Sequence, residues 1–197
     1  MTVTDTLTRK NSSARPEGKV VVSVHNLKKA FGDHHVLNGI NLELHESENL
    51  VILGRSGTGK SVLIKCLIGL IVPDEGDMNI LGKEMRGLNS ENLDALRLQI
   101  GFSFQSSALY DSMSVRENLE FPLKRNLGIF DNQKLESLVK EALEDVGLEK
   151  AIDLMPVELS GGMKKRIGIA RTLILKPKIM LYDEPTAGLD PITSRIN

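Results

Sequence analysis

The segment GRSGTGKS, residues 54–61, combines residue types that bind phosphate. Its glycines would let backbone N–H groups turn inward around an anion without a clash from Cβ. A helix beginning near Gly59 would aim its positive end at the same anion. Lys60 can reach the β- and γ-phosphate oxygens of a nucleotide, and the Ser61 hydroxyl can ligate Mg²⁺. A Gly-rich turn without chemical meaning is the alternative. The predicted phosphate loop comprises Gly54, Arg55, Ser56, Gly57, Thr58, Gly59, Lys60 and Ser61.

A pair of carboxylates, Asp183 and Glu184, directly follows the apolar run Ile179–Tyr182. Ligands of open α/β sheets bind at the carboxyl ends of the strands. Asp183 is suited to hold Mg²⁺ through water, and Glu184 to orient or deprotonate an attacking water. The pair predicts in-line attack of water on the γ-phosphorus, with positioning and electrostatics supplying most of the rate. A strand that ends in solvated acids is the alternative.

The segment ELSGGMKKR, residues 158–166, predicts a second anion site. Ser160, Gly161 and Gly162 would open a helix whose N-terminus offers free backbone N–H groups and a hydroxyl. One phosphate tail rarely needs two such sites from one subunit. The segment therefore predicts a homologous pair arranged head to tail, with two ATP molecules at the seam. A capped helix whose glycines allow close packing is the alternative.

Hydrophobic patterns predict the elements that must position these motifs. The run Leu50–Leu53 is apolar throughout, as expected for a strand buried on both faces of a sheet. Ile179–Tyr182 reads as a second buried strand. Further strands are predicted from Val20, at Asn41–Leu44, at Met78–Leu81 and at Ile100–Phe104. Strands that alternate with helices imply an α/β fold with a mostly parallel sheet.

Helical periodicity is clearest in the second half of the chain. Ser114 and Glu117 have the spacing of a capping box, and an apolar stripe over 135–146 stops at Gly147. Residues of about 106–158 therefore form a helical insert in the α/β domain. Other helices are predicted after the phosphate loop, with Leu63, Leu67 and Leu70 on one face, and from Ser160 to Lys176.

The composition excludes several functional classes. The 197 residues carry a net charge of -1, no Trp and only 4% aromatic residues, which argues against a nucleic-acid partner. The single cysteine, Cys66, reads as a buried apolar residue in a reducing compartment. No apolar run approaches the ~18 residues of a membrane span. Residues 1–18 are polar and predict a flexible extension rather than a signal peptide.

The three motifs together resemble those of ABC ATPases, and the resemblance covers residues 20–197. It implies an ATP-binding domain at 19–197 with a P-loop NTPase (RecA-like) core, an antiparallel β part at the N-terminus, the inserted helical subdomain, and ATP and Mg²⁺ as ligands. By the same resemblance, Phe31 stacks on adenine, although a core phenylalanine is the alternative. Gln105 touches Mg²⁺ and water and couples to the membrane subunit, and Asp190 lies at the dimer seam.

The sequence departs from this family pattern at several points. Met163 stands where many members have Gln, and Ser47 stands where a Gly is usual. ABC ATPases also use a histidine downstream of Asp190 to contact the γ-phosphate. All histidines of this chain, however, precede the phosphate loop: His25, His34, His35 and His45. We therefore expect that the C-terminal part is missing. The adjacent His34 and His35 lack metal-ligand spacing and predict a solvated turn.

Finer detail is similar to the ATPases of Mla-type lipid-transport systems, in the segments GRSGTGKSVLIKCLIGL, FQSSALYDSMSVRENLEFPL, ELSGGMKKR and DEPTAGLDPIT. The resemblance implies phospholipid movement between bacterial membranes, a second ATPase subunit, a permease and a lipid-binding shuttle protein. The ATPase would lie on the cytoplasmic face of the inner membrane, attached through the permease. The alternatives are an amino-acid or lipoprotein ABC system, a soluble ABC ATPase of DNA repair or translation, and a P-loop kinase.

The segment after Gln105 is the expected docking site for the permease. It carries a short apolar patch, and exposed apolar clusters usually mark contacts. The alternative is that these side chains pack under the helical insert. The patch comprises Ala108, Leu109, Tyr110 and Met113.

Overall fold

The computed structural model describes residues 18–55, 57–103 and 109–183 and divides the chain into two units after Asp94. The first unit contains a four-stranded antiparallel sheet in the order β2-β1-β3-β4. Its strands are β1 (Val20–Phe31), β2 (His34–His45), β3 (Glu75–Ile80) and β4 (Lys83–Glu84). The predicted antiparallel N-terminal part is therefore confirmed.

Alternation along β1 places one face of this sheet in the core. Val22, Val24 and Leu27 are buried there, and Leu37 and Ile40 of β2 join them. The strand at Asn41–Leu44 is confirmed as part of β2, and the one at Met78–Leu81 as part of β3 except for Leu81, which lies one residue past its end. His34 and His35, predicted to form a turn, instead begin β2, because the hairpin turns one step earlier at Gly32, whose φ is +57°.

The prediction of a buried strand at Leu50–Leu53 is wrong. These residues adopt no strand, and the side chains of Val51 and Leu53 are 56% and 54% exposed. A strand buried on both faces needs hydrogen-bonded neighbours as well as an apolar sequence. None of the ladders within the described part of the chain includes this run.

The helix after the phosphate loop is shorter than predicted. Helix α1 spans Lys60–Leu67 and buries Leu63 and Leu67, whereas Leu70 lies beyond its end and is more than half exposed. Gly69, with φ +69°, ends the helical course, since this conformation favours glycine. Cys66 is fully buried, as predicted, and burial raises the pKa of its thiol to about 11. Helix α2 spans Ser90–Arg97.

The second unit contains the parallel pair β5 (Ile100–Ser103) and β6 (Ile179–Tyr182). Both strands were predicted, although β6 buries only Ile179 fully, and Tyr182 is exposed. Gly101 allows close packing on β5: a Cβ there would lie 2.8 Å from Thr172 Cγ2 and would also collide with Met180 Sδ. The parallel pair and the surrounding helices confirm the α/β class.

Helices and 3₁₀ turns fill the part of the second unit between β5 and β6. They are α3 (Val115–Leu127), α4 (Asn132–Glu144), two 3₁₀ turns (Glu149–Ala151 and Pro156–Glu158) and α5 (Gly161–Leu173). The capping box is confirmed, because Glu117 N–H donates to Ser114 Oγ and Ser114 N–H donates to the Glu117 carboxylate. Gly147 follows the α4 stripe as predicted, with φ +62°. Helix α5 ends before the expected Lys176.

The stripes of these helices pack into one apolar core. Helices α3, α4 and α5 all contribute apolar side chains to this core, and their close packing excludes water. Its fully buried side chains include Val115, Leu119, Leu123, Val139, Leu143 and Ile167. No helix in residues 18–55, 57–103 or 109–183 is both long and apolar enough to cross a membrane.

Candidate functional site

The phosphate loop of the first unit folds around the ammonium of Lys60, which is the first residue of α1. Lys60 Nζ donates to the carbonyl oxygens of Gly54, at 2.8 Å, and Arg55, at 2.9 Å. The sequence thus brings a lysine back to the start of its own loop. A cation held over a backbone loop at a helix N-terminus is the arrangement that binds polyphosphates.

Thr58 makes two hydrogen bonds within the phosphate loop. Its hydroxyl donates to the Arg55 carbonyl at 2.9 Å, and its backbone N–H donates to the same oxygen at 3.3 Å. A Cβ at Gly54 would lie 2.7 Å from Thr58 Oγ1, so a larger residue at 54 would displace this bond. The hydrogen bond of the Thr58 hydroxyl therefore depends on a glycine at position 54.

Two glycines of the loop adopt conformations that other residues rarely adopt. Gly57 has φ +80°, and Gly59 has φ +100°. A Cβ on Gly59 would also lie 3.0 Å from the carbonyl oxygen of Val36, so this position has no room for a side chain. Gly59 precedes α1 and supplies no capping side chain. A bound anion can take that capping role for the helix that carries Lys60 and Ser61.

Phe31 is the last residue of β1, and its side chain is half exposed rather than in the core. The ammonium of Lys29 lies 5.5 Å from the centroid of its ring. The alternative of a core phenylalanine therefore does not describe this side chain. An exposed ring face at the end of a strand is available for stacking with a planar ligand.

Asp183 of the carboxylate motif lies at the carboxyl edge of the β5–β6 pair. Ser103 is the register partner of Tyr182, and the Asp183 N–H extends the ladder by donating to Ser103 O at 3.2 Å. Asp183 is partly buried at this edge. The other predicted residues of the motifs, Ser56, Gln105, Glu184 and Asp190, lie outside the described residues.

The second predicted anion site opens helix α5. Ser160 is its N-cap and accepts a hydrogen bond from Met163 N–H at 3.2 Å. Gly161 and Gly162 are exposed, and a Cβ on either would meet no atom of the described chain within 4 Å. Glycine within a helix costs about 1 kcal/mol relative to alanine. Close packing within the described chain does not explain these glycines, whereas approach of an external group would.

Asn118 was not predicted as a site residue, yet it organises the segment after Gln105. Its side chain is fully buried, and its Oδ1 accepts from Tyr110 N–H at 2.8 Å. Its Nδ2 donates to the carbonyl oxygens of Tyr110, Met113 and Ser114. The available signal was a polar residue that helical spacing places on the apolar face of the helix beginning after Ser114.

Ala108 of the predicted docking patch lies outside the described residues, and the described members include a packed part and an exposed part. Leu109 packs against the helical core, as the alternative interpretation required. Tyr110 is 43% exposed, makes an edge-to-face contact with Phe121 at 5.1 Å, and has the guanidinium of Arg171 4.5 Å from its ring centroid. Arg171 belongs to α5, so Tyr110 connects the segment after Gln105 with the helix that Ser160 caps.

Comparison with known proteins places the chain in a family. Residues 37–187 match the family model described as "ABC transporter". The chain is 43% identical to Protein TRIGALACTOSYLDIACYLGLYCEROL 3, chloroplastic, of Arabidopsis thaliana, covering 91% of this chain and 54% of that protein. It is 40% identical to the methionine import ATP-binding protein MetN of Clostridium tetani, with 89% and 54% covered.

A solved structure of similar fold is the dimeric, post-hydrolysis ATP-binding cassette MJ0796 bound to ADP and Pi. The TM-score is 0.79 and the identity 32%, covering 88% of this chain and 78% of that chain. The chain therefore belongs to the ABC transporter family and has the P-loop NTPase fold of its ATP-binding cassettes. It spans about half the length of the curated relatives it matches.

Proposed function

We propose that this chain is the ATP-binding and ATP-hydrolysing cassette of an ABC transporter. The observation that carries the proposal is the phosphate loop: Lys60 Nζ sits at 2.8–2.9 Å from two carbonyl oxygens of its own loop, at an uncapped helix start. The Lys60 ammonium and the N-terminal N–H groups of α1 would donate hydrogen bonds to the β- and γ-phosphates instead. Phe31 would stack on the adenine.

The residues present are compatible with Mg²⁺ in this role. Within the described ranges, no group of three or more His, Cys, Asp or Glu side chains could hold a metal ion. Nucleotide-bound Mg²⁺ does not need such a cage, because it keeps several waters and takes phosphate oxygens as ligands. In this proposal the Ser61 hydroxyl and Gln105 are direct ligands, and Asp183 acts through water. When bound, the ion neutralises charge on the phosphates.

Hydrolysis is assigned to Glu184, with Gln105 as its partner. Strands β5 and β6 are parallel and end at the same edge, where the Asp183 N–H donates to Ser103 O. In the sequence, Gln105 and Glu184 each come two residues after the end of one of these strands. Glu184 would accept a hydrogen bond from the attacking water and take its proton as the water oxygen bonds to the γ-phosphorus and ADP leaves, and Gln105 would help to orient that water. The protein's contribution is thus the positioning of water against a phosphate that Lys60 and α1 hold still.

A second copy of the cassette is part of the proposal. Helix α5 opens with Ser160, Gly161 and Gly162, the described part of the chain leaves open space beside both glycines, and MJ0796 is a dimer. Each copy would offer this start to the nucleotide held by the phosphate loop of the other copy. Asp190 would lie at the seam between them.

Gly161→Asp separates this role from the folding of α5. A carboxylate in the first turn favours a helix, and there is room for the side chain, so the fold should hold. We expect hydrolysis in the complete ATPase to fall by at least about tenfold, because like charges about 4 Å apart repel by ~1–4 kcal/mol. Circular dichroism and phosphate release measure the two effects. Gly161→Ala is the matched control and should retain more activity. Wild-type turnover by Gly161→Asp would contradict the assignment.

The membrane partner in this proposal is a permease that contacts the exposed part of the docking patch. We expect Tyr110→Asp to lower co-purification with the permease by about tenfold, because a buried unpaired charge costs an interface several kcal/mol. ATP binding should be unchanged. Tyr110→Phe is the matched control, since it retains the ring against Phe121 and Arg171. Recovery of Tyr110→Asp at wild-type yield would remove the interface from this residue.

Phospholipid is the proposed cargo, with an Mla-type arrangement of permease and lipid-binding shuttle. Two observations support it: the motif resemblance and a relative whose name contains a diacylglycerol galactolipid. The name of the MetN relative favours a second candidate, amino-acid import. In either case the proposal places the cargo with the membrane partners rather than with the cassette, so the partners decide between the two candidates.

The experiment is purification of the membrane complex through a tag on this chain, followed by mass spectrometry of the bound small molecules and proteins. Phospholipid together with a permease and a shuttle protein is the expected result. Bound methionine or another amino acid, without lipid, would replace the lipid proposal by the import alternative and leave the ATPase proposal in place. A complex without a permease would contradict both transport proposals.

A further inference from the structure

Asp74 fastens the end of β1, immediately before Phe31. The β1–β3 ladder stops at the pair Lys28–Glu75. Asp74 continues the connection beyond it: its N–H donates to Lys28 O at 2.9 Å, and its Oδ2 accepts from Ala30 N–H at 2.7 Å. Asp74 thus supplies the hydrogen bonds to β1 next to Phe31, where the ladder between β1 and β3 has already ended.

The same carboxylate also fixes the lysine beside the Phe31 ring. Asp74 Oδ1 accepts from Lys29 Nζ at 2.7 Å, and that nitrogen lies 5.5 Å from the ring centroid. The Lys29 side chain is only 16% exposed, although most lysines remain mobile in solvent. Its hydrogen bond to Asp74 lowers the pKa of that carboxyl, so the carboxylate stays charged at neutral pH.

The neighbouring pair Lys28–Glu75 shows what is particular about Asp74. Its nitrogen–oxygen distance is also 2.7 Å, but Lys28 is 43% exposed, against 16% for Lys29, and Glu75 is 62% exposed, against 47% for Asp74. Asp74, unlike Glu75, combines an ion pair with a backbone hydrogen bond to the residue before Phe31.

We propose that the Asp74–Lys29 pair is a positioning device that holds the Phe31 ring ready to stack on the base of the nucleotide. A half-exposed phenylalanine at a strand end would otherwise lose rotamer freedom on binding, which weakens the complex. Lys29 restrains the ring through its cation–π contact, and Asp74 restrains both Lys29 and the backbone at Ala30. The inference rests on the proposed ATP binding and on Phe31 as the base contact.

Asp74→Asn tests the pair with little disturbance of the backbone. The new amide can still accept from Ala30 N–H through its oxygen, but it can no longer pair with the Lys29 ammonium. Binding of ATP and of inorganic tripolyphosphate is measured by calorimetry, because tripolyphosphate has no base. We expect ATP binding to weaken about three- to tenfold, as for one newly mobile side chain, with tripolyphosphate binding unchanged within about twofold.

Two further variants sharpen the test. Glu75→Gln, which breaks the neighbouring ion pair, should bind both ligands as the wild type does. In a Phe31→Ala background, Asp74→Asn should add no further loss of ATP affinity. If Asp74→Asn loses ATP and tripolyphosphate affinity to the same extent, the phosphate loop is affected and the inference is overturned. Unchanged ATP affinity of Asp74→Asn would overturn it as well.

Failure of the proposed function gives a different pattern. A folded wild-type chain that binds tripolyphosphate but gains nothing from the base would remove Phe31 as the base contact. A wild-type chain that binds neither ligand would contradict ATP binding itself. Either result would overturn the inference along with the assignment on which it rests.

Discussion

Replacing Glu184 with glutamine is expected to lower the rate of ATP hydrolysis by about 10²–10⁴-fold, the usual contribution of a positioned general base. Glutamine keeps the shape of the side chain and loses the negative charge that orients the attacking water. Binding of ATP depends on the phosphate loop and should persist. The measurement is phosphate release by the complete ATPase, alongside ATP affinity by calorimetry.

The same variant should trap the ATP-bound pair of cassettes. If ATP closes the pair and hydrolysis opens it, a variant that binds without hydrolysis accumulates as a dimer, which gel filtration with ATP detects. Glu158→Gln is the matched control: this exposed carboxylate precedes the second anion site and accepts only from Met155 N–H at 2.7 Å. Activity of Glu184→Gln within about twofold of wild type would assign the base to another residue.

The motifs were predictable from the sequence because each depends on residues close together along the chain. Lys60 Nζ donates to Gly54 and Arg55, only six and five residues earlier in the chain, and Ser160 caps its own helix by accepting from Met163 N–H. Glycine spacing, capping residues and helix starts are local chemistry that one segment specifies by itself. The same holds for the Ser114–Glu117 capping box and the α4 stripe.

Properties that depend on distant neighbours were predicted less well. The apolar run Leu50–Leu53 has the composition of a buried strand, but pairing and cover come from other parts of the chain, and no described strand pairs with it. Helix α1 ends before Leu70 because Gly69 adopts a left-handed conformation, although the apolar spacing continues past it. Periodicity alone does not register such a stop.

Side-chain networks across the sequence were the least accessible. Asn118 is one of several polar residues in the sequence of α3, and only the structure shows that its side chain hydrogen-bonds to three carbonyl oxygens and one N–H of the segment before α3. Asp74 lies far along the chain from Phe31, so their connection through Lys29 and Ala30 has no sequence signal. Both cases need the fold before the partners can be named.

Replacing Lys60 with alanine is the second change with a large expected effect. Its ammonium donates to two loop carbonyl oxygens, and with ATP it would donate to phosphate oxygens instead. Hydrogen bonds to charged groups contribute about 1.5–3 kcal/mol each, so affinity for ATP should fall by at least about tenfold. The backbone of the loop keeps its Thr58 bonds, and α1 keeps a good helix former at its first position.

Calorimetric titration of ATP into the wild type and Lys60→Ala tests the central claim most directly. Lys65→Ala, which removes a lysine from the last turn of the same helix, is the matched control. We predict saturable ATP binding by the wild type and by Lys65→Ala, with binding by Lys60→Ala at least about tenfold weaker although it remains folded. ATP binding by folded Lys60→Ala as tight as that of the wild type, or no binding by the wild type, would contradict an ATP site at this loop.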